Sequence, residues 1–216
     1  MLVQFGKGRG GAGGPADVGQ PKFQAIQQVR AYWQALRAGD GLPRREQIDP
    51  RGMAQALECV FLLERIAPGL ARFRLAGTHL QDMMGMDVRG MPLTALFDPQ
   101  SRARLTNALE PVFAGPAGLD LWLEAERGIG RPALEARMLL LPLVGSNGEP
   151  GMALGCLATF GDLGRSPRRF AISRALAEPM GVLAPEQPAA APDAAATARA
   201  PLATGAASHL RLVSSR

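Results

Sequence analysis

The chain has 216 residues, with 24 Lys and Arg against 19 Asp and Glu, for a formal net charge of +5. That length suits one main domain with a sizeable core. The basic excess is mild, dispersed and nearly all arginine, which argues against the clustered basic stripe of a nucleic-acid reader. The first residues, MLVQFGKGRGG, lack the apolar centre of a signal peptide, and no apolar run approaches a membrane span. A cytoplasmic setting is expected.

Residues 1 to 20 are glycine-rich and without periodicity, so they read as a tail. Gly6-Lys7-Gly8 fails as a phosphate loop, because no Ser or Thr follows the lysine and no strand precedes it. A helix is expected from Pro21 to Ala38, ended by Gly39. Phe23, Ile26, Val29, Trp33 and Leu36 recur on one face of it. This stripe either covers the domain's own core or serves as a dimerising contact face, and the two are compatible. The loop GLPRREQ follows. Asp49-Pro50 then pairs a cap with a first-turn proline and opens a short helix to about Leu57.

Leu57 to Thr78 reads as a β-hairpin. Val60 to Leu63 is an apolar run, Pro68-Gly69 suits a type II turn, and Arg72 to Leu75 alternates polar with apolar. Thr78 is placed to cap the next helix. Two registers are open. With a three-residue loop, Glu64 faces Arg74 on the outer face, and Phe61, Leu63, Phe73 and Leu75 point inward. With a two-residue loop, Glu64 turns inward and Arg65 meets Arg72. The first avoids a buried carboxylate and is the expected one. It leaves Leu62 on the outer face, in need of a cover that the N-terminal helix can supply.

From His79 to Phe97 the pattern breaks into short helical pieces, the first stopped at Gly85. Asp98-Pro99 starts a longer helix to about Phe113, with Leu105, Leu109, Val112 and Phe113 on its apolar face. Pro111 is expected to kink it or end it early. Three strands follow, over Leu119 to Leu123, Leu134 to Leu143 and Met152 to Phe160. Glu135 and Arg137 mark an outer face. A helix is expected from Ser166 or Pro167 through about Leu183, and the Arg165, Arg168 and Arg169 cluster reads as a solvated loop. Residues 184 to 207 form an Ala/Pro-rich linker. His209 to Val213 is either a docking strand or part of a plain tail.

The order of two strands, short helices, a connecting helix and three strands is an α+β plan: a five-stranded antiparallel sheet with helices on one face, plus an N-terminal helix. It resembles the PAS domain. Trp33, Gly41-Leu42-Pro43-Arg44-Arg45, Ile48-Asp49-Pro50, Phe61 to Glu64, Arg74 to Thr78 and Gly85 to Gly90 further resemble the small stand-alone PAS proteins of alphaproteobacteria. The expected organisation is a tail over 1–20, an N-terminal helical region over 21–54, a PAS-like domain over 55–162, a helical extension over 163–183 and a tail over 184–216. The resemblance implies a bacterial sensory or adaptor protein that acts in signalling through a protein partner, with a possible homodimer. No nucleic acid or membrane is expected as a partner.

Catalysis is not expected. The chain has two histidines, no G-x-S-x-G and no cluster with metal-ligand spacing. Cys59 and Cys156 lie in apolar contexts without a CxxC and read as buried free thiols. Neither has the N-C-R-F-L-Q context of the flavin-binding light sensors, so no cofactor is expected. Haem held through His79 is the alternative. A second function is open, that of a small-molecule sensor with an apolar ligand in the core. Met83, Met84, Met86 and Met91 would shape one wall of its pocket. Leu63, Phe73, Leu75, Met138, Leu140, Leu154 and Cys156 would line the other.

Overall fold

The computed structural model describes residues 23–37, 41–114 and 117–180. The two expected tails lie outside those residues, as do His209 to Val213 and the helix ends expected at Pro21 and Ala38. The described chain forms helices α1 (Gln24–Leu36), α2 (Thr78–Met84) and α3 (Pro99–Ala114). Six strands are present: β1 (Val60–Ala67), β2 (Leu70–Ala76), β3 (Ala117–Ala125), β4 (Glu135–Val144), β5 (Pro150–Phe160) and β6 (Phe170–Pro179). Three 3-10 segments, Arg45–Gln47, Pro50–Cys59 and Leu93–Leu96, join them. The strands make one antiparallel sheet in the order β2-β1-β5-β4-β3-β6.

Both faces of this sheet are apolar in its centre. On the inner face, α2, α3 and the Leu93–Leu96 segment bury Phe61, Leu63, Phe73, Met138 and Leu140 in one cluster. On the outer face, α1 and the Pro50–Cys59 segment cover Leu62, Leu139, Leu141, Leu143, Leu154 and Cys156. Leu62 therefore finds the cover that its outward position requires. The covering stripe is that of α1: Ile26, Val29 and Trp33 are fully buried, and the Trp33 indole N–H donates to the Pro142 carbonyl at 3.0 Å. Phe23 and Leu36, at the ends of the stripe, are only half-buried.

Several local expectations hold for identifiable reasons. Asp49 caps the Pro50–Cys59 segment by accepting from the Arg51 amide, and Asp98 accepts from the Ser101 amide at the start of α3. Gly85 ends α2 in the left-handed conformation, at φ +71°. Gly69 takes φ +64° in the hairpin turn, where its amide donates to the Glu110 carboxylate at 2.6 Å. Arg65 pairs with the other oxygen of Glu110, so α3 is tied to the hairpin at two points. Thr78 is not a cap. That position falls to Gly77, which lies so close to the Glu58 carbonyl that a Cβ would sit 2.1 Å from its oxygen. Pro111 does not end α3, which runs on to Ala114. It lies in the last turn, where burial of Val112 and Phe113 beyond it offsets the amide bond that proline removes.

The largest correction is β6. Residues 170–179 are a strand, so the helix expected over 163–183 does not form and the sheet has six strands rather than five. The stretch is rich in Ala, Leu, Arg and Glu, which favour helix, but tertiary context overrides propensity. An unpaired β3 edge would leave its backbone groups open. β6 closes that edge from Ala117↔Pro179 to Ala125↔Phe170 and delivers Phe170 and Ile172 to the inner core. α3 reinforces it: the Ile172 amide donates to the Ser101 hydroxyl at 3.0 Å.

The hairpin closes on the two-residue loop Pro68-Gly69, as in the second register, but around Glu64 it takes neither expected pairing. A residue is added in each strand, Ile66 in β1 and Arg74 in β2, giving Glu64↔Arg72, Leu63↔Phe73 and Leu62↔Leu75. Glu64 is outward, as expected, but its nearer partner is Arg72 at 2.8 Å, with Arg74 at 3.7 Å. The irregularity at Arg74 re-aims the remainder of β2. Leu75 therefore lies opposite Leu62 on the outer face, where it is 50% exposed, rather than in the core.

Because Trp33 is wholly enclosed, Trp33→Ala is expected to lower stability by about 3–5 kcal/mol, the cost typical of emptying a buried aromatic site. Urea unfolding of the full chain measures this. A midpoint equal to that of the wild type would show that α1 does not seal the outer face.

Candidate functional site

The structure divides the expected pocket between the two sides of the sheet. Leu63, Phe73, Met83, Met84, Met138 and Leu140 come together as buried members of the inner cluster. Cys156 and Leu154 belong to the outer cluster, and Leu75 lies at the outer surface. Met91 packs at the margin of the inner cluster, and Met86 is exposed. The eight side chains Leu63, Phe73, Leu75, Met83, Met84, Met138, Leu140 and Cys156 thus do not surround one space. The expected contact face is also divided. Ile26, Val29 and Trp33 are taken up by the chain's own sheet, which leaves mainly polar residues on the free side of α1.

An open apolar groove lies instead on the outer face, between β2 and the Pro50–Cys59 segment. Its volume is about 190 Å³. β1 and β5 contribute Val60, Leu62 and Leu154, the 3-10 segment contributes Pro50, Met53 and Leu57, and Leu75, Ala76 and Gly77 come from the end of the hairpin. Leu57 is 44% exposed and Leu75 50%. The groove exists because the cover provided by α1 ends at β5 and β1, while Gly77 holds the end of β2 against the 3-10 segment. The Arg74 irregularity then turns Leu75 towards it. Sequence reasoning did not find this site. Leu57, an apolar residue at the expected end of a short helix, was the one available signal.

The titratable groups are placed for structure. His79, at the start of α2, is half-buried, with Nε2 3.0 Å from the Thr159 hydroxyl of β5. Burial lowers its pKa below the ordinary 6.5, against the opposing pull of Glu58 and Asp82. Both cysteines are free and buried. Burial pushes the Cys59 thiol up to about 11 and the Cys156 thiol higher still, which suits inert core residues rather than nucleophiles. Among the described residues, no group of three or more His, Cys, Asp or Glu is placed to hold a metal ion.

Of two arginine arrangements, the first departs from expectation and the second keeps Arg137 on the outer face, as expected. Arg168 is buried rather than solvated. Its guanidinium donates to the carbonyls of Leu163, Glu126 and Pro132, and so pins the loop between β5 and β6 to the β3–β4 turn. On the outer face of β3, Asp120 is buried between Arg30 of α1 and Arg137 of β4. Trp122 is half-buried there, with the guanidinium groups of Arg137 and Arg174 each 4.6 Å from its ring centroid. This ionic patch covers the outer face at β3 and the neighbouring part of β4.

The lowered His79 pKa has a definite sign. The unfolded chain binds the proton more readily, so the neutral ring's contribution to stability is complete above pH 6.5 and is lost as pH falls below it towards the folded pKa. His79→Gln is expected to flatten the decline of the unfolding midpoint on the acid side of pH 6.5. Thermal unfolding from about pH 5 to about pH 8, the range in which histidine changes charge, measures it. Parallel curves for the two proteins would contradict the buried neutral ring.

The PAS domain family model matches residues 22–158, more than half of the chain. The match takes in α1 and ends two residues short of the end of β5, so β6 lies beyond it. Among solved structures, the chain is similar to the light-state structure of the blue-light photoreceptor Aureochrome1 LOV, at 14% identity and a TM-score of 0.37. That alignment covers 52% of this chain and 88% of that one. It is also similar to a sensory box histidine kinase/response regulator from Burkholderia thailandensis E264, at 18% identity and a TM-score of 0.34, covering 51% and 84%. No curated protein matches in sequence. No helix among the described residues is long and apolar enough to cross a membrane. On its strand order, its helices and the extent of the family match, this chain belongs to the PAS domain family.

Proposed function

We propose that this PAS domain is a non-catalytic sensory or adaptor module that acts through protein–protein contacts. The observation that supports this reading is where the fold leaves apolar surface open. The side chains that would have walled a ligand site on the inner face are buried against one another, with Leu63, Met83, Met138 and Leu140 fully enclosed. Among the described residues, an apolar surface stays open in the outer-face groove, with Leu57 and Leu75 at its mouth. A recess of that size takes the apolar side chain of a protein partner, an anchor in a pocket of the kind that dominates contact energies.

Leu75→Arg tests the reading. The site is half-exposed, so the thermal midpoint is expected to stay within about 2 °C of wild type. A defined partner retained in stoichiometric amount by the full-length wild-type chain is expected to fall by at least about tenfold with the variant, the loss of one anchor. Equal retention by both proteins would contradict a contact role for this face.

A further inference from the structure

We propose that the outer-face groove is the docking site of this chain's own segment Met1–Phe5, with Phe5 as the anchor, so that in the free chain the contact surface is already occupied. The inference rests on the contact reading above and adds a resident occupant that a partner must displace.

Three observations support this occupant. The first is size. A groove of about 190 Å³ matches one aromatic ring, since an apolar cavity of about 150 Å³ accepts benzene. Met1-Leu2-Val3-Gln4-Phe5 is a compact apolar run, and Phe5 is the first aromatic residue of the chain. The second is reach. Phe23, where the described chain begins, packs on the same outer cluster that contains Val60, Leu62 and Leu154 of the groove. The intervening stretch from Gly6 to Lys22 holds seven glycines. A glycine-rich tether of that length has a root-mean-square span of roughly 20–25 Å, and about 60 Å when fully extended. Tethering at this range gives an effective concentration on the order of millimolar, so a weak one-ring contact suffices.

The third is charge. Glu58 follows Leu57 at the mouth of the groove, and its carbonyl touches Gly77. Glu58 and Asp82 are the two carboxylates that act on His79, which lies two residues beyond the groove's Gly77. Both residues are exposed, and neither makes an ion pair among the described residues. Lys7 and Arg9 stand two and four residues beyond Phe5. With the ring in the groove, they are the cations placed to meet those carboxylates.

The test is cross-linking in the full chain. Q4C/L75C, which keeps the Phe5 ring, is compared with the control Q4C/I129C, because Ile129 is 99% exposed in the β3–β4 loop and does not line the groove. Diamide removes two hydrogens from a thiol pair and is reduced to the hydrazine as the disulfide forms. The native cysteines are buried and poorly ionised, so they stay out of the reaction. At low micromolar protein, peptide mapping is expected to show the Q4C/L75C link within one chain, forming at least about tenfold faster than the control. K7E/R9E is expected to slow it, and Q4C/L57C to rank with Q4C/L75C, which guards against a folding defect at one site. Equal rates for groove and control pairs would overturn the proposal, as would links found only between chains, which would make a second copy the occupant. Neither result touches the contact reading, which stands or falls on partner retention by Leu75→Arg.

Discussion

A sheet that is apolar on both faces cannot be stable with only one face covered. In this chain β1, β4 and β5 carry Leu62, Leu139, Leu141, Leu143, Leu154 and Cys156 outward, opposite the inner core. Exposing such a patch costs on the order of 25 cal/mol for each Å² of apolar surface. That cost makes α1 part of the domain rather than an appendage. It places Trp33 over β4 with its indole N–H satisfied by Pro142. Where α1 runs out over β3, the face changes character, and Asp120, Arg30, Arg137 and the stacked Trp122 replace leucines. Towards β2 neither helix nor ionic patch completes the cover, and the groove at Leu57 and Leu75 is what remains.

Functional readings depend on this division of faces. The inner face has the burial of a core, with its methionines and leucines enclosed. His79 bonds a strand hydroxyl, and burial raises the pKa of both cysteine thiols. The outer face offers an apolar groove with Leu57 and Leu75 exposed at its mouth. Arg168, a buried guanidinium held by three carbonyls, fixes the loop that brings β6 round to β3. That loop needs an internal pin because it crosses from β5, near the middle of the sheet, to its far edge.

Much of the fold was legible in the sequence wherever one residue meets one local requirement. Asp49-Pro50 and Asp98-Pro99 mark helix starts because a carboxylate satisfies a free amide there. Gly69 and Gly85 mark left-handed positions. Leu62 signalled a second covered face, because an outward leucine between Phe61 and Leu63 has no other explanation. The features that were not legible depend on partners distant in sequence. Residues 170–179 carry helical propensity, and only the open edge of β3 makes them a strand. The extra residue at Arg74 has no sequence mark, yet it moves Leu75 from the core to the surface and so creates the candidate site. Cys156 and Leu154 were assigned to the wrong face for a related reason. β5 is buried on both sides, so alternation in its composition does not distinguish inside from outside.

The contact reading stands against a ligand held in the core, and native mass spectrometry of the purified full chain separates the two most directly. A contact module gives the polypeptide's own mass of 22.8 kDa, alone or with a protein partner. A small molecule retained through gentle ionisation and released only on denaturation would contradict it and return the function to the inner face.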